Sequence, residues 1–433
     1  MKKTALLAAL FAALSISLGA QNPARGYYKD VYMDSGIMLT SRTDLPVTNL
    51  LGLSMEAFVS TKHSYTDPYK FTQADTLIQR ALICGSPEDE NGILLYPDGA
   101  PRFRMIYMNG GRAGTHGKSL EEKGRQHYRD FVNAGGSYLG SCAGAFVASR
   151  GVLYADGKVK HTASYLNLWP GCTISTKLEK SYTAVDIVNG SPLEARFSFD
   201  GKTHIDSVRH NGGCYADMAS APKGTEVLAR YDTKGRQLEK DIDGQPVIWA
   251  YKASDKTGRV ILCGSHPEGA YEDDNLALMA AMVRYALDGN AGPVVKAALK
   301  PGEVREMTAK TSEGKPEWTR IGDRQFHHFT IQVPKGTRKM VVDLQGILGS
   351  KDFDLSLFAR RGGFAFGDNS PYCAIGATTD KTLTIKDPIP GKYYISVFCE
   401  TTVESRNGKF GVEYSGRTDV LNGVPYTLKV SFE

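Results

Sequence analysis

From Tyr27 to about Gly292, runs that read as strands alternate with runs that read as helices. Beyond Gly292 only short strands remain. "KDVYMDSG" reads as a strand and "DLPVTNLLGLSMEAFVS" as a helix with Pro near its start. "RFRMIYMNGG" is a strand ending in a glycine pair, and "SLEEKGRQHYRDFVNAGG" is an amphipathic helix closed by glycines. "SYLGSCAGAFVAS" reads as strand, turn and helix, and the glycine pair of "YMNGGRAGTHG" ends a strand, with a flexible loop as the alternative to a substrate-facing role and His116 in or beside the helix that follows. "TEVLARYD", "PVIWAYKA" and "GRVILCGSHPE" add strands, and "DDNLALMAAMVRYALDG" closes the region as a long helix. Such alternation predicts an α/β sheet with helices on both faces.

The stretch 293–318 is polar, with Pro, Gly and Lys, and reads as a linker. After it, "FHHFTIQV", "KMVVDLQG", "FDLSLFAR", "KTLTIKD", "KYYISVF" and "PYTLKVSF" alternate with turn residues, the pattern of an all-β sandwich over 319–433.

The first 20 residues, with Lys2 and Lys3 before an apolar run and Gly19–Ala20 after it, predict a signal peptide cut before Gln21. That implies export to the periplasm, the cell surface or the medium. The run is shorter than the ~20 residues a spanning helix needs, and no later stretch predicts a membrane span. Net charge is only +5, with both signs interspersed, which argues against a nucleic-acid partner. There are seven cysteines, so at least one thiol lacks an intrachain partner. Cys373 and Cys399 are the first pair to test for a disulfide.

The chemistry centres on "GSCAG", Gly140–Gly144, which has the spacing of a nucleophile elbow with Cys142 in the nucleophile position. Small flanking residues suit such a turn, and the N–H of Ala143 is a candidate oxyanion donor. An ordinary buried thiol is the competing reading. "GSHPE" places His266 after an apolar strand with Glu268 two residues on. On extended chain the two side chains share a side, so Glu268 can orient His266 toward Cys142. Gly110 and Gly111 end an earlier strand and are candidates for the rest of the oxyanion hole. "VRHNGGCYAD" offers Arg209 and His210 as candidate substrate-binding residues, with a structural hairpin as the alternative. The other histidines show no ligand-like spacing, and no cofactor and no metal are expected.

The α/β region resembles the class I glutamine amidotransferase-like superfamily. "FVNAGGSYLGSCAGAFVAS", "SYLNLWPG" and "GSHPE" resemble its branch called biotin-protein ligase N-terminal-like. The resemblance implies a flavodoxin-like three-layer sandwich with a mostly parallel sheet over 21–292. It also implies that Cys142 is the nucleophile, His266 the base and acid, and Glu268 its orienter. Members that hydrolyse glutamine carry a bulkier residue after the Cys and a Gln beyond it, where this chain has Ala143, Gly144, Ala145 and Phe146. No ligase domain is read in this sequence, so biotin transfer is not the expected activity. The expected activity is hydrolysis of a small-molecule amide or a peptide bond through a thioester. The alternative is a catalytically silent binding protein that keeps the pocket.

The C-terminal strands "DFDLSLF", "PGKYYISVF" and Tyr426-x-Leu428-x-Val430 resemble the bacterial pre-peptidase C-terminal domain. That family implies secretion or contact with a cell surface or polymer. Some members bind calcium, for which Asp352 and Asp354 are candidates.

Overall fold

The computed structural model describes residues 26–40, 42–59, 73–196, 199–408 and 411–433. The expected signal peptide lies outside these residues. Among them, no helix is long and apolar enough to cross a membrane.

Nine strands form the main sheet, in the order Met55–Val59, Lys29–Ser35, Phe103–Met108, Ser137–Ser141, Val260–Cys263, Pro246–Tyr251, Glu226–Asp232, Ser181–Ile187, His204–His210. The first five are parallel to their neighbours and the other four pairings are antiparallel. The sheet is therefore mixed rather than mostly parallel. The antiparallel strands are joined without crossover helices, and so need none of the dozen residues that a parallel return requires.

Alternation along each strand feeds two cores. Ile106 and Met108 pack on one face with Tyr128, Phe131 and Val147. Met105 and Tyr107 pack on the other with Val47, Leu51 and the helix Asp273–Leu287. Helices therefore cover both faces, giving three layers. Two of the expected elements differ. "DLPVTNLLGLSMEAFVS" splits at Gly52, whose left-handed φ of 62° ends the helix Pro46–Leu51 before the strand Met55–Val59. The helical stretch after Gly111, expected as one helix holding His116 and His127 or lying beside them, is two: Ala113–Ser119 and Glu121–Asn133. A separate four-stranded sheet includes Ser149–Leu153, Trp169–Ser175 and Cys214–Ala216.

The C-terminal part holds a five-stranded and a four-stranded sheet and a two-stranded hairpin, Val403–Gly408 with Gly411–Gly416. Leu355, Leu357, Ile395, Val342, Leu344 and Leu428 from the two larger sheets share one core. The stretch expected as a linker takes part in them. Val295–Ala298 pairs with Phe326–Val333, and Val304–Met307 pairs with Tyr426–Phe432. Its polar residues mislead because edge strands expose one side.

The two parts meet across buried charge. Arg102 makes a two-pronged bond to Asp323, at 3.2 and 2.9 Å, with side-chain exposures of 2% and 1%. The guanidinium also lies over the Tyr28 ring at 4.1 Å and donates to Tyr414. Beside it, Asp98 pairs with Lys296 and accepts from Gln325.

All seven cysteines are free thiols. Cys373 and Cys399 are not bonded: they pair with Phe358 and Leu355, three residues apart on one strand. Asp352 and Asp354 form no ligand cluster among the described residues. The Asp354 carboxylate instead accepts the Thr378 N–H at 2.8 Å.

Candidate active site

Cys142 stands between the strand Ser137–Ser141 and the helix Ala143–Ala148, with φ 47° and ψ −104°. A positive φ is strained for a residue with a Cβ and persists only where neighbours enforce it. They do so here. The Cys142 N–H donates to the Cys263 carbonyl at 2.8 Å, and the Tyr138 hydroxyl donates to the Gly144 carbonyl at 2.8 Å. The two glycines are needed for close approach. A Cβ on Gly140 would lie 2.5 Å from the carbonyl carbon of Gly144, and one on Gly144 would lie 2.3 Å from the Met108 oxygen. The thiol is 4% exposed and lies 3.8 Å from the Asn211 carbonyl.

Parallel pairing of Val260–Cys263 with Ser137–Ser141 carries His266 to the same end of the sheet. His266 and Glu268 follow the end of that strand, with Pro267 between them. His266 Nδ1 meets Glu268 Oε1 at 2.9 Å. Its Nε2 is buried without a hydrogen bond, and Cys142 stands beside the ring. Burial opposes a charged imidazole, but Glu268 and Cys142 outweigh it and hold His266 well above the ordinary imidazole range. Burial likewise pushes the Glu268 carboxyl up, yet His266 and then Arg42 pull it below its usual value. Burial holds the neighbouring thiols Cys214 and Cys263 protonated, the latter pushed up to about 12.

Gly110 closes this arrangement. A Cβ there would lie 2.3 Å from His266 Cε1 and 3.4 Å from Cys142 Cβ. Among the described residues, no acceptor takes the N–H of Gly110, Gly111 or Ala143. Cys142, His266, Glu268, Gly110 and Ala143 thus gather at the carboxyl ends of parallel strands, where ligands bind in open α/β sheets. Such an arrangement can polarise a thiol, hold an imidazole in one orientation and offer N–H groups to an oxyanion.

Arg209 and His210 divide. The Arg209 side chain is exposed, and its carbonyl accepts the His266 N–H at 2.8 Å. His210 is fully buried behind the site, with Nε2 on the Thr183 hydroxyl at 2.6 Å and its ring on Tyr231, out of a substrate's reach. Asp186, His204 and Asp232 form the one group among the described residues whose spacing could hold a metal ion. There His204 Nδ1 already meets Asp186 at 2.6 Å.

Sequence reasoning passed over Asn109. Its carbonyl accepts the Gly144 N–H at 3.2 Å, while its side-chain amide donates to Ser35 and to the Thr40 carbonyl. It ties the elbow to the Gly110 loop. The only signal was its place before the glycine pair.

Residues 100–286 match the family model described as "Biotin-protein ligase, N terminal". The match contains the elbow, the glycine loop and the His-x-Glu pair. An uncharacterized protein of Chlamydia muridarum (strain MoPn / Nigg) is 27% identical over 168 residues, covering 38% of this chain and 60% of that protein. A biotin–protein ligase of Schizosaccharomyces pombe (strain 972 / ATCC 24843) is 29% identical over 177 residues, covering 39% of this chain and 26% of that protein. The chain thus spans less than two thirds of these curated relatives. Among solved structures, a glutamine amido transferase from Methylobacillus flagellatus superposes with a TM-score of 0.32 at 10% identity, covering 62% of this chain and 97% of that one.

Proposed function

We propose that the protein is a cysteine hydrolase of amide or peptide bonds, with Cys142 as nucleophile, His266 as general base and acid, and Glu268 as its orienter. The observation that carries the reading is the His266 ring, held by Glu268 at 2.9 Å and wedged against Cys142 and Gly110. His266 draws the thiol proton as sulfur attacks the carbonyl carbon. The carbonyl oxygen becomes an oxyanion, met by the N–H groups of Gly110, Gly111 and Ala143. Collapse forms the thioester and expels the amine, which takes the proton from His266. Water, deprotonated by the same ring, attacks the thioester and releases the acid and the thiol.

The five parallel strands run second, first, third, fourth, fifth in chain order, which supports the doubly wound, flavodoxin-like reading. The leader-like N-terminus supports export. The sandwich's resemblance to pre-peptidase C-terminal domains supports a role for it in secretion or surface contact.

The test is a screen of the purified protein against amides and peptides, with Cys142→Ala beside it. We expect turnover and selective thiol labelling of Cys142, with turnover falling by at least about 10⁴-fold in the variant. Labelling without turnover would favour the silent binding protein. Equal turnover in both proteins would remove Cys142 from the chemistry.

A further inference from the structure

The turn 36–40 follows the strand Lys29–Ser35 and packs against the Gly110–Gly111 loop, backbone to backbone. The Thr40 N–H donates to the Gly110 carbonyl at 2.7 Å, and the Arg112 N–H donates to the Met38 carbonyl at 2.8 Å. A Cβ on Gly111, whose φ is 149°, would lie 2.3 Å from that Met38 oxygen. Met38 itself has φ 62°, a strained value for its side chain. Whatever holds this turn also holds the loop.

Two fully buried side chains hold it. Asp34 Oδ1 accepts the Gly36 N–H at 2.9 Å, and Oδ2 faces His116 Nε2 at 3.1 Å and accepts from the Tyr128 hydroxyl. The other nitrogen of His116 donates to the Ile37 carbonyl at 2.9 Å. A carbonyl only accepts, so Nδ1 bears a proton. The Asp34 carboxyl is pushed up by burial but pulled below its usual range by His116. His116 lies in the helix Ala113–Ser119, which begins directly after Arg112. The glycine loop is therefore gripped from both sides, through the turn and through the helix. A buried polar pair is a poor source of net stability, since desolvating its members offsets their attraction. What it supplies is direction.

We propose that Asp34 and His116 are positioning residues for the glycine loop, and that their buried pair aims the Gly110 and Gly111 N–H groups at a carbonyl held over Cys142. The inference rests on the hydrolase reading for its consequence, but the grip itself can be read without turnover.

The experiment compares wild type with His116→Gln and the milder Tyr128→Phe, which removes one bond to Asp34. Hydrogen exchange followed by mass spectrometry reads the backbone in the absence of any substrate. We expect exchange across 36–40 and 109–112 to rise about tenfold in His116→Gln and less in Tyr128→Phe, with 137–148 as in wild type. Alkylation of Cys142 by iodoacetamide, a displacement without an oxyanion, should stay within about twofold, while hydrolytic kcat falls about 10²-fold at nearly constant KM. Unchanged exchange in both segments overturns the proposal. So does faster exchange throughout the domain with a parallel loss of alkylation, since the pair would then merely support the fold. If wild type hydrolyses nothing, the hydrolase reading falls, and the exchange pattern still decides whether the pair grips the loop.

Discussion

In the C-terminal sandwich, His327 and His328 stand side by side on the strand Phe326–Val333, both buried, each with Nδ1 on a hydroxyl. The partners are Tyr426 at 2.9 Å and Ser396 at 2.6 Å. Burial drives His328 down to about 3. It drives His327 well below its ordinary range too, with Lys296 adding to burial and Asp98 opposing it. In the α/β part His266 is mostly buried, but its Nδ1 meets a carboxylate, and it is held well above the ordinary imidazole range. His210 tells the two cases apart within one neighbourhood. It lies close enough to His266 to feel its charge, has only the Thr183 hydroxyl as partner, and is pushed down to about 3, chiefly by burial. Burial alone makes an imidazole a neutral packing group, and a carboxylate at hydrogen-bond distance reverses that.

The sharpest way to break this contrast is Glu268→Gln, which keeps the shape and removes the charge. We expect hydrolytic kcat to fall about 10³–10⁴-fold and the imidazole midpoint, followed by NMR, to drop. The pH dependence has a definite sign. His266 is raised above 6.5, so its contribution is complete below that pH and fades as pH climbs through the elevated value. Glu268 is lowered below 4.5, so its contribution is complete above that and fades as pH falls through the depressed value. Chemical denaturation across pH should show both slopes in wild type and neither in the variant.

A charge pair without chemistry makes the second comparison. Arg102→Met strands Asp323 in the interface, and we expect a loss of about 3–5 kcal/mol in urea unfolding. A loss confined to the sandwich would mean that the two parts unfold separately. Gly110→Ala probes space rather than charge. Its methyl must displace His266, so kcat should fall about 10²-fold with a stability change below about 1 kcal/mol, measured by turnover and by melting. The smallest effect belongs to the sandwich. Ser396→Ala leaves a buried His328 nitrogen unpaired, costing about 1–3 kcal/mol in denaturant titration and leaving hydrolysis unchanged.

The elements most legible in the sequence were those whose pattern repeats over several residues. The strands Phe103–Met108, Ser137–Ser141 and Val260–Cys263 and the helix Asp273–Leu287 lie where apolar periodicity and flanking glycines indicate. Gly52 was missed because a single left-handed residue ends a helix as firmly as a long polar loop. The strands Val295–Ala298 and Val304–Met307 were missed because edge strands carry too little apolar signal. At the site, Cys142, His266 and Glu268 were legible because their spacing is local and chemical. Asp34 and His116, 82 residues apart, were not, because neither lies in a motif. His210 looked available beside a glycine pair, yet strand alternation turns it inward and Arg209 outward.

By itself the sequence determined which side chains exist at short range: a thiol between small residues, an imidazole with a carboxylate two residues on, and a glycine pair closing a strand. Short-range geometry follows from covalent connection and the few allowed backbone conformations. Only the tertiary structure decided what those groups are to one another. Strand register delivers His266 to Cys142, and a glycine with no Cβ lets the ring approach. Burial beside Glu268, rather than beside a hydroxyl, sets the direction in which the imidazole shifts. Desolvation and Coulomb attraction depend on distances across the fold, and no stretch of sequence contains those distances.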